Sequence, residues 1–245
     1  MELLSEEKVI LEEFRRMINL DLKKAILYLE QEHQAKQHLP NLALHYAIQI
    51  SSSLVLGFDY ISAIKALETI QADREYYLPA LVIKAHLLDS NEFINDDLRI
   101  QLLDEYQNRF DSKNYWCRQI LYLIACSYHP IYEMNGVNCS PYKSYLEKTI
   151  LYDPSNASAY QQLSKYYEEK GDYLNAVINL VKSKSVIKVL PFLSSPESTI
   201  LFYLEDIQNF IDMELRYSVA YSTPGQKDDL LDVLKLLDKL KKQLK

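Results

Sequence analysis

One stretch, from Asp153 to Ile187, constrains the fold of this chain more than any other. It reads DPSNASAYQQLSKYYEEKGDYLNAVINLVKSKSVI, which is two amphipathic runs joined by a short turn at Gly171-Asp172. In both runs, apolar and small residues recur at the three- and four-residue spacing of one helix face. Asp153-Pro154 stands just before the first run, where proline favours a helix start. The stretch therefore predicts a helical hairpin.

The two predicted helices carry matched faces. These faces consist of Tyr160, Leu163, Ser164 and Tyr167 in the first helix, and Tyr173, Ala176, Leu180 and Ser183 in the second. Small residues opposite large ones let two helices approach closely. The pattern resembles the tetratricopeptide repeat (TPR) family, with its aromatic, leucine and small residue in the first helix, Gly-Asp-Tyr at the turn and alanine in the second. The resemblance implies a non-enzymatic scaffold that binds a protein or a peptide.

The composition favours a nearly all-helical chain. Its 245 residues are 48% apolar and include only four glycines and eight prolines, which are too few for the many turns of an all-β fold. The net charge of −7 gives no general attraction for nucleic acid or anionic lipid. No apolar run has the length of a membrane span, and acids occupy the N-terminal segment where a secretory signal needs basic residues. We therefore expect a cytoplasmic protein, with neither nucleic acid nor a membrane as partner.

Motifs for catalysis and cofactor binding are absent from the sequence. It has no glycine-rich phosphate loop, no His-Glu-x-x-His and no Gly-x-Ser-x-Gly. Cys117, Cys126 and Cys139 are odd in number and widely spaced, so we expect reduced thiols and no disulfide framework. The sequence predicts no cofactor and no catalytic residue.

The hairpin pattern recurs earlier in the chain, and such self-similarity is typical of a repeat array. Ala47 and Ile50 have the spacing of the first-helix face, and Asp59-Tyr60 corresponds to the Asp-Tyr of the turn. In the third unit the turn between the helices is longer, at residues 130–141. The predicted repeat region, 40–190, divides into four units at about 44–77, 78–117, 118–156 and 157–190.

The rest of the chain completes the predicted architecture. Residues 1–39 form an N-terminal helix pair, and residues 191–245 form helices that cap the array. A single hairpin leaves an apolar face uncovered, so hairpins must stack and the stack must be closed. The predicted fold is an all-α solenoid of stacked antiparallel helix pairs, a TPR-like superhelix with a C-terminal capping helix.

Capping residues predict several helix starts. Ser5 is the expected N-cap of the first helix, and Ser140-Pro141 is expected to begin another. Ser195-Pro196-Glu197 is expected to open one helix that runs to about Tyr217. Residues 223–226, Thr-Pro-Gly-Gln, form a predicted capping box for the last helix.

In the geometry that the resemblance implies, the first helix of each unit lines a concave groove. The groove positions are His45, Ile48 and Ser52 in the first unit; Val82, His86 and Asp89 in the second; Gln119, Tyr122, Cys126 and His129 in the third; and Ser158, Gln161, Lys165 and Glu168 in the fourth. A mixed polar and aromatic surface of this kind is typical of peptide-binding faces. Some family members hold a terminal carboxylate with a fixed set of Lys, Asn and Arg residues. Only Lys165 of that set is present here, which argues against that ligand.

Three alternatives stay open. The groove positions could form a solvated inner face with no partner. His86, Asp89, Cys126 and His129 are all acceptable ligands for a transition metal, and their three-residue spacing on successive units could bring them together. A homodimer could form through residues 226–245, because the last helix carries a leucine seam. That seam consists of Leu230, Leu234, Leu237 and Leu244.

Overall fold

The computed structural model describes residues 4–52, 59–70, 76–89, 95–188, 190, 193, 197–217 and 224–244. The chain forms two compact units, residues 1–139 and residues 140–245. Within the described ranges every regular element is a helix and there is no β-strand. The predicted all-α fold class is confirmed.

Unit 1 is a series of helices that pack on their neighbours in the chain. Its described helices are α1 (Ser5–Ile18), α2 (Leu22–Ala35), α3 (Pro40–Ser52), α4 (Tyr60–Glu68), α5 (Tyr77–Asp89), α6 (Asp96–Arg109) and α7 (Tyr115–Ser127), followed by a 3₁₀ turn at Pro130–Asn135. Each helix from α1 to α4 packs on the next, and α5 and α6 both pack on α7. Phe14, Leu29, Leu42 and Ala63 lie in one buried cluster and join the first four helices. The helix pairs expected of an α-solenoid are therefore present.

Unit 2 contains the hairpin and the C-terminal helices. Its described helices are α8 (Tyr142–Tyr152), α9 (Ala157–Glu169), α10 (Tyr173–Ser183), α11 (Glu197–Phe202), α12 (Leu204–Tyr217) and α13 (Pro224–Gln243), with a 3₁₀ turn at Ser185–Lys188. α9 packs on both α8 and α10, and α13 packs on both α10 and α12. Val177, Ile211, Val233 and Leu237 are fully buried in the shared core. The last helix thus covers the apolar side of the hairpin, as predicted for a capping helix.

Individual hydrogen bonds and one backbone angle confirm the predicted hairpin of α9 and α10. Ser164 and Ala176 are buried where α9 packs on α10, and the Ser164 hydroxyl donates to the Ala176 carbonyl at 2.8 Å. Asp172 is the N-cap of α10, and its carboxylate accepts from the Asn175 amide at 3.2 Å. Gly171 has a φ of +75° at the turn between the helices. These three features follow from residues that lie close together in the chain.

Replacing Gly171 by alanine is expected to lower the free energy of unfolding by about 1 kcal/mol, because a Cβ disfavours the left-handed backbone that Gly171 adopts. No atom lies within 4 Å of the Cβ position, so backbone strain is the only penalty. Gly225→Ala is the matched control, since Gly225 lies in α13 and has no positive φ. Urea denaturation should give unchanged or higher stability for Gly225→Ala. Equal losses for both variants would contradict the assignment of strain to the turn.

Several helix ends differ from the sequence predictions. α1 is capped one residue earlier than expected, at Leu4, because the Glu7 carboxylate accepts from the Leu4 amide at 3.0 Å. α8 begins at Tyr142 without a side-chain cap, since Pro141 at its N-cap position has no side-chain acceptor. The long helix expected after Ser195 is instead two helices, α11 and α12. The Tyr203 carbonyl between them accepts from the Ile207 amide and opens α12.

One predicted helix cap lies outside the described part of the chain: Thr223, the first residue of the expected capping box, is not among the described residues. The boundaries of the four repeats stay a prediction. The three cysteines are all described, and no disulfide joins them.

Candidate functional site

α9 carries the four groove positions that were predicted for the last repeat, and the first of them, Ser158, is exposed. The Asn156 side chain caps the helix by accepting from the Ala159 amide at 2.9 Å. Gln161, Lys165 and Glu168 follow at spacings of four and three residues, so they share one face of the helix. Gln161 and Lys165 are exposed, and Glu168 is partly exposed. Ser164 lies beside this face and donates to the Ala176 carbonyl of α10, which fixes the direction of the face.

These three residues line a cleft of about 340 Å³ within unit 2. The other described lining residues come from α9, from α10 and its C-cap Lys184, and from α13: Ser164, Leu180, Lys184, Asp232, Lys235, Leu236 and Lys239. Ser164, Leu180 and Leu236 are buried and give the cleft an apolar, small-residue base. Charged side chains surround that base, so the cleft combines an apolar contact surface with ionic walls.

Lys184 is the most enclosed cation of the cleft, with 19% of its side chain exposed. Its Nζ lies 3.1 Å from Asp229 Oδ1 and 3.5 Å from Asp232 Oδ2, both on α13. Burial alone would lower the pKa of Lys184, but hydrogen bonds and charge attraction from Asp229 and Asp232 outweigh it and raise the pKa. Lys184 is therefore charged at neutral pH and bound to its two acids.

The remaining cations lie nearer to solvent. Lys239 of α13 forms an ion pair with Glu168 of α9, and the hydrogen bond from this carboxylate raises the pKa of Lys239. Lys235 pairs with Asp232 at 3.1 Å on the same helix. Lys165 is exposed and has no ion-pair partner among the described residues. One ammonium group of the cleft is thus available to a ligand.

Groove positions in α3 are on or near the surface of unit 1. His45 is half-buried, and its pKa is lowered by burial and by the nearby Arg15 of α1. Ile48 is 41% exposed, and the Ser52 hydroxyl donates to the Ile48 carbonyl at 2.7 Å. These positions give α3 a partly exposed surface that is accessible to a partner.

The groove positions in α5 and α7 are mixed. Val82 and Cys126 are buried, with 1% and 8% exposure, so they offer little surface to a partner. His86 is exposed, and Gln119 and Tyr122 are partly exposed. The side chain of Asp89 lies outside the described residues. A groove that runs through both units stays a prediction.

The metal alternative gains no support from the geometry. His129 is the N-cap of the 3₁₀ turn, where its Nδ1 accepts from the Ile131 amide at 3.2 Å. Cys126 is buried in α7. Among the described side chains, no three His, Cys, Asp or Glu residues come together as a metal site requires.

The dimer alternative loses most of its proposed seam. Leu230 and Leu237 are buried inside unit 2, with 1% and 0% exposure. Leu234 is partly buried against the same core, and only Leu244 is largely exposed. Self-association through residues 226–245 stays a prediction, but the apolar stripe that suggested it is already covered within the unit.

Sequence reasoning missed the half of the cleft that α13 provides. Lys235 and Lys239 are four residues apart, so their shared face could be read from the sequence. Nothing in the sequence indicated that this face would lie opposite Glu168, because helical periodicity carries no information about long-range pairing. Only the α9 side of the site was predictable.

Comparison with protein-family models, curated proteins and solved structures found no match to this chain. The resemblance to the TPR family therefore rests on the residues of the hairpin and its weaker repeats. In the part of the chain that the structure describes, no helix combines the length and apolarity needed to cross a bilayer.

Proposed function

We propose that this chain is a non-enzymatic, TPR-like scaffold that binds a peptide segment of another protein. The observation that carries the proposal is the α9 face. Gln161, Lys165 and Glu168 were assigned to a groove by resemblance alone, and the same three residues line the cleft between α9, α10 and α13. A cytoplasmic location belongs to the proposal, and three cysteines without a disulfide are compatible with it.

The mechanism is recognition in a preformed site. The base of the cleft is fixed by buried contacts and by the hydrogen bond between Ser164 and Ala176, so little ordering is left for the moment of binding. Gln161 and Lys165 supply exposed donors for the ligand, while Leu180 and Leu236 supply apolar contact. A cleft of about 340 Å³ is at the small end of ligand sites and suits a short extended segment.

Peptide selection tests this proposal. The intact chain is used to select peptides from a random display library, and each selected peptide is then titrated against the double variant Gln161→Ala/Lys165→Ala. We expect the double variant to bind about tenfold more weakly, because a charge-assisted hydrogen bond is lost. Lys242→Ala is the control, since Lys242 is an exposed lysine of α13 beyond the cleft. Failure to enrich any peptide, or equal binding by the double variant, would count against the cleft as the site.

A further inference from the structure

We propose that the ligand of this cleft is an acidic segment of a partner protein, whose side-chain carboxylates replace Glu168 at Lys239 and also pair with Lys165. This inference rests on the proposed function and adds the chemistry of the ligand. In the free chain, Glu168 then acts as an internal substitute for the ligand carboxylate.

Lysines outnumber acids at the cleft. Its described lining has four lysines, Lys165, Lys184, Lys235 and Lys239, against two acids, Glu168 and Asp232, and a third acid, Asp229, pairs with Lys184 from outside the lining. The whole chain has the opposite balance, with 27 basic and 34 acidic side chains. A concentration of lysines against that trend gives the cleft a local preference for negative charge.

The ion pairs of Lys184 and Lys239 across the cleft differ in how far their side chains are exposed to solvent. Lys184 is 19% exposed and contacts two carboxylates, so an incoming ligand would have to break an enclosed network to reach it. The pair between Lys239 and Glu168 is 47% and 35% exposed at its two side chains. Such an exposed pair contributes little to stability and exchanges readily. Lys239 can therefore give up Glu168 for a carboxylate of the ligand.

Lys165 is a second site for a ligand carboxylate. It lies one helical turn before Glu168 on the same face of α9 and has no ion-pair partner among the described residues. A ligand that pairs with Lys165 and Lys239 would neutralise both ammonium groups, whereas Glu168 neutralises only one. The gain in charge pairing favours exchange.

The apolar base of the cleft selects a peptide rather than a free anion. Leu180 and Leu236 are buried beneath the charged walls, with 8% and 4% exposure. The methylene groups of a Glu side chain, or an aliphatic neighbour of the acids, can cover this base. Nucleic acid fits less well, because the walls also carry Glu168 and Asp232 and the chain as a whole is anionic.

Fluorescence anisotropy with a capped peptide tests the inference. The probe is hexaglutamate with an acetylated N-terminus, an amidated C-terminus and an uncharged dye, so that no terminal carboxylate takes part. Hexaglutamine and hexalysine peptides of the same form are the comparisons. We expect the intact chain to bind hexaglutamate at least tenfold more tightly than either, with an affinity that falls as salt rises from low to physiological concentration.

Three single-residue variants of the cleft should change the affinity for hexaglutamate in opposite directions. Lys165→Gln and Lys239→Gln should each weaken binding of hexaglutamate about fivefold, because each removes one partner of the ligand. Glu168→Gln should instead tighten binding about two- to fivefold, because it removes the internal competitor. A folding defect cannot produce tighter binding. Lys242→Gln should leave the affinity unchanged.

Four results of these binding measurements would overturn the inference. The inference is overturned if hexaglutamate binds no better than hexaglutamine, if Glu168→Gln fails to tighten binding, or if Lys242→Gln weakens it as much as Lys165→Gln does. It is also overturned if a single-stranded oligonucleotide binds as tightly as the acidic peptide. If display selection yields non-acidic peptides that depend on Gln161 and Lys165, the proposed function stands and only the acidic ligand fails. If neither experiment finds a peptide bound in the cleft, both fail.

Discussion

Replacing Glu7 by alanine should lower the free energy of unfolding of unit 1 by about 3 kcal/mol. The Glu7 side chain is fully buried and accepts three hydrogen bonds. They come from the Leu4 amide at 3.0 Å, the Asn41 amide at 3.2 Å and the Asn41 side-chain amide at 2.9 Å. Alanine would leave the Asn41 donors buried without their acceptor, since Asn41 is only 7% exposed. Hydrogen bonds to a carboxylate are stronger than those between neutral groups, so the loss is large.

The measurement is urea denaturation followed by the fluorescence of Trp116, the one tryptophan of the chain, which lies in α7 of unit 1. Glu12→Ala is the matched control, because Glu12 is an exposed acid of the same helix. Its effect should stay within about 0.5 kcal/mol. Glu7→Gln should fall between the two, because it keeps one acceptor but places an NH₂ group among donors. Similar midpoints for Glu7→Ala and Glu12→Ala would show that the buried carboxylate does not join α1 to α3.

The elements that the sequence predicted well are those whose determinants are local. The hairpin of α9 and α10 depends on a turn at Gly171-Asp172 and on small residues at Ser164 and Ala176, all within a few helical turns of one another. Helical periodicity and turn chemistry express such short-range physics directly. The all-α class and the pairing of neighbouring helices follow from the same signals.

Contacts between distant segments could not be predicted in this way. Glu7 and Asn41 are 34 residues apart, and Glu168 and Lys239 are 71 residues apart. The amphipathic pattern of one helix does not indicate which distant polar group its side chains will contact. Glu7, an acid in the first turn of α1, is therefore a buried link to α3 that the sequence did not predict. Likewise, part of the candidate cleft comes from α13, which was predicted as a cap or a dimer interface and not as part of a groove.

The weaker repeats show a second limit. Val82 and Cys126 were assigned to a groove by their register relative to the α9 face, yet both are buried. In α9 the apolar and polar faces separate clearly, with Leu163 and Ser164 buried and Gln161 and Lys165 exposed. α5 is apolar around much of its circumference, and α7 is buried on every side from Leu123 to Ser127, so no exposed face distinguishes the groove side from the core at Val82 or Cys126. A register transferred from a clear repeat to a degraded one is thus least reliable where the helix is most buried.

Replacing Ala176 by leucine should lower the free energy of unfolding by about 2–4 kcal/mol. Ala176 has no exposed surface, and its carbonyl accepts the buried hydroxyl of Ser164 at 2.8 Å. A larger side chain there would push α9 away from α10 and would also break or bend this hydrogen bond. Both effects act on the same contact, so the decrease in the free energy of unfolding should lie at the upper end of the range seen when a core residue is replaced by a larger one.

Lys182→Leu is the control for this substitution, because it places the same side chain at an exposed position of α10. Urea denaturation followed by far-ultraviolet circular dichroism should give a change below about 0.5 kcal/mol for the control. A loss below about 1 kcal/mol for Ala176→Leu would mean that α9 and α10 can separate at little cost. The cleft would then not be preformed, because Lys165 and Glu168 on α9 depend on this contact for their position against Lys184 and Lys239. The stability of one buried alanine therefore tests the rigid-site mechanism as directly as a binding measurement does.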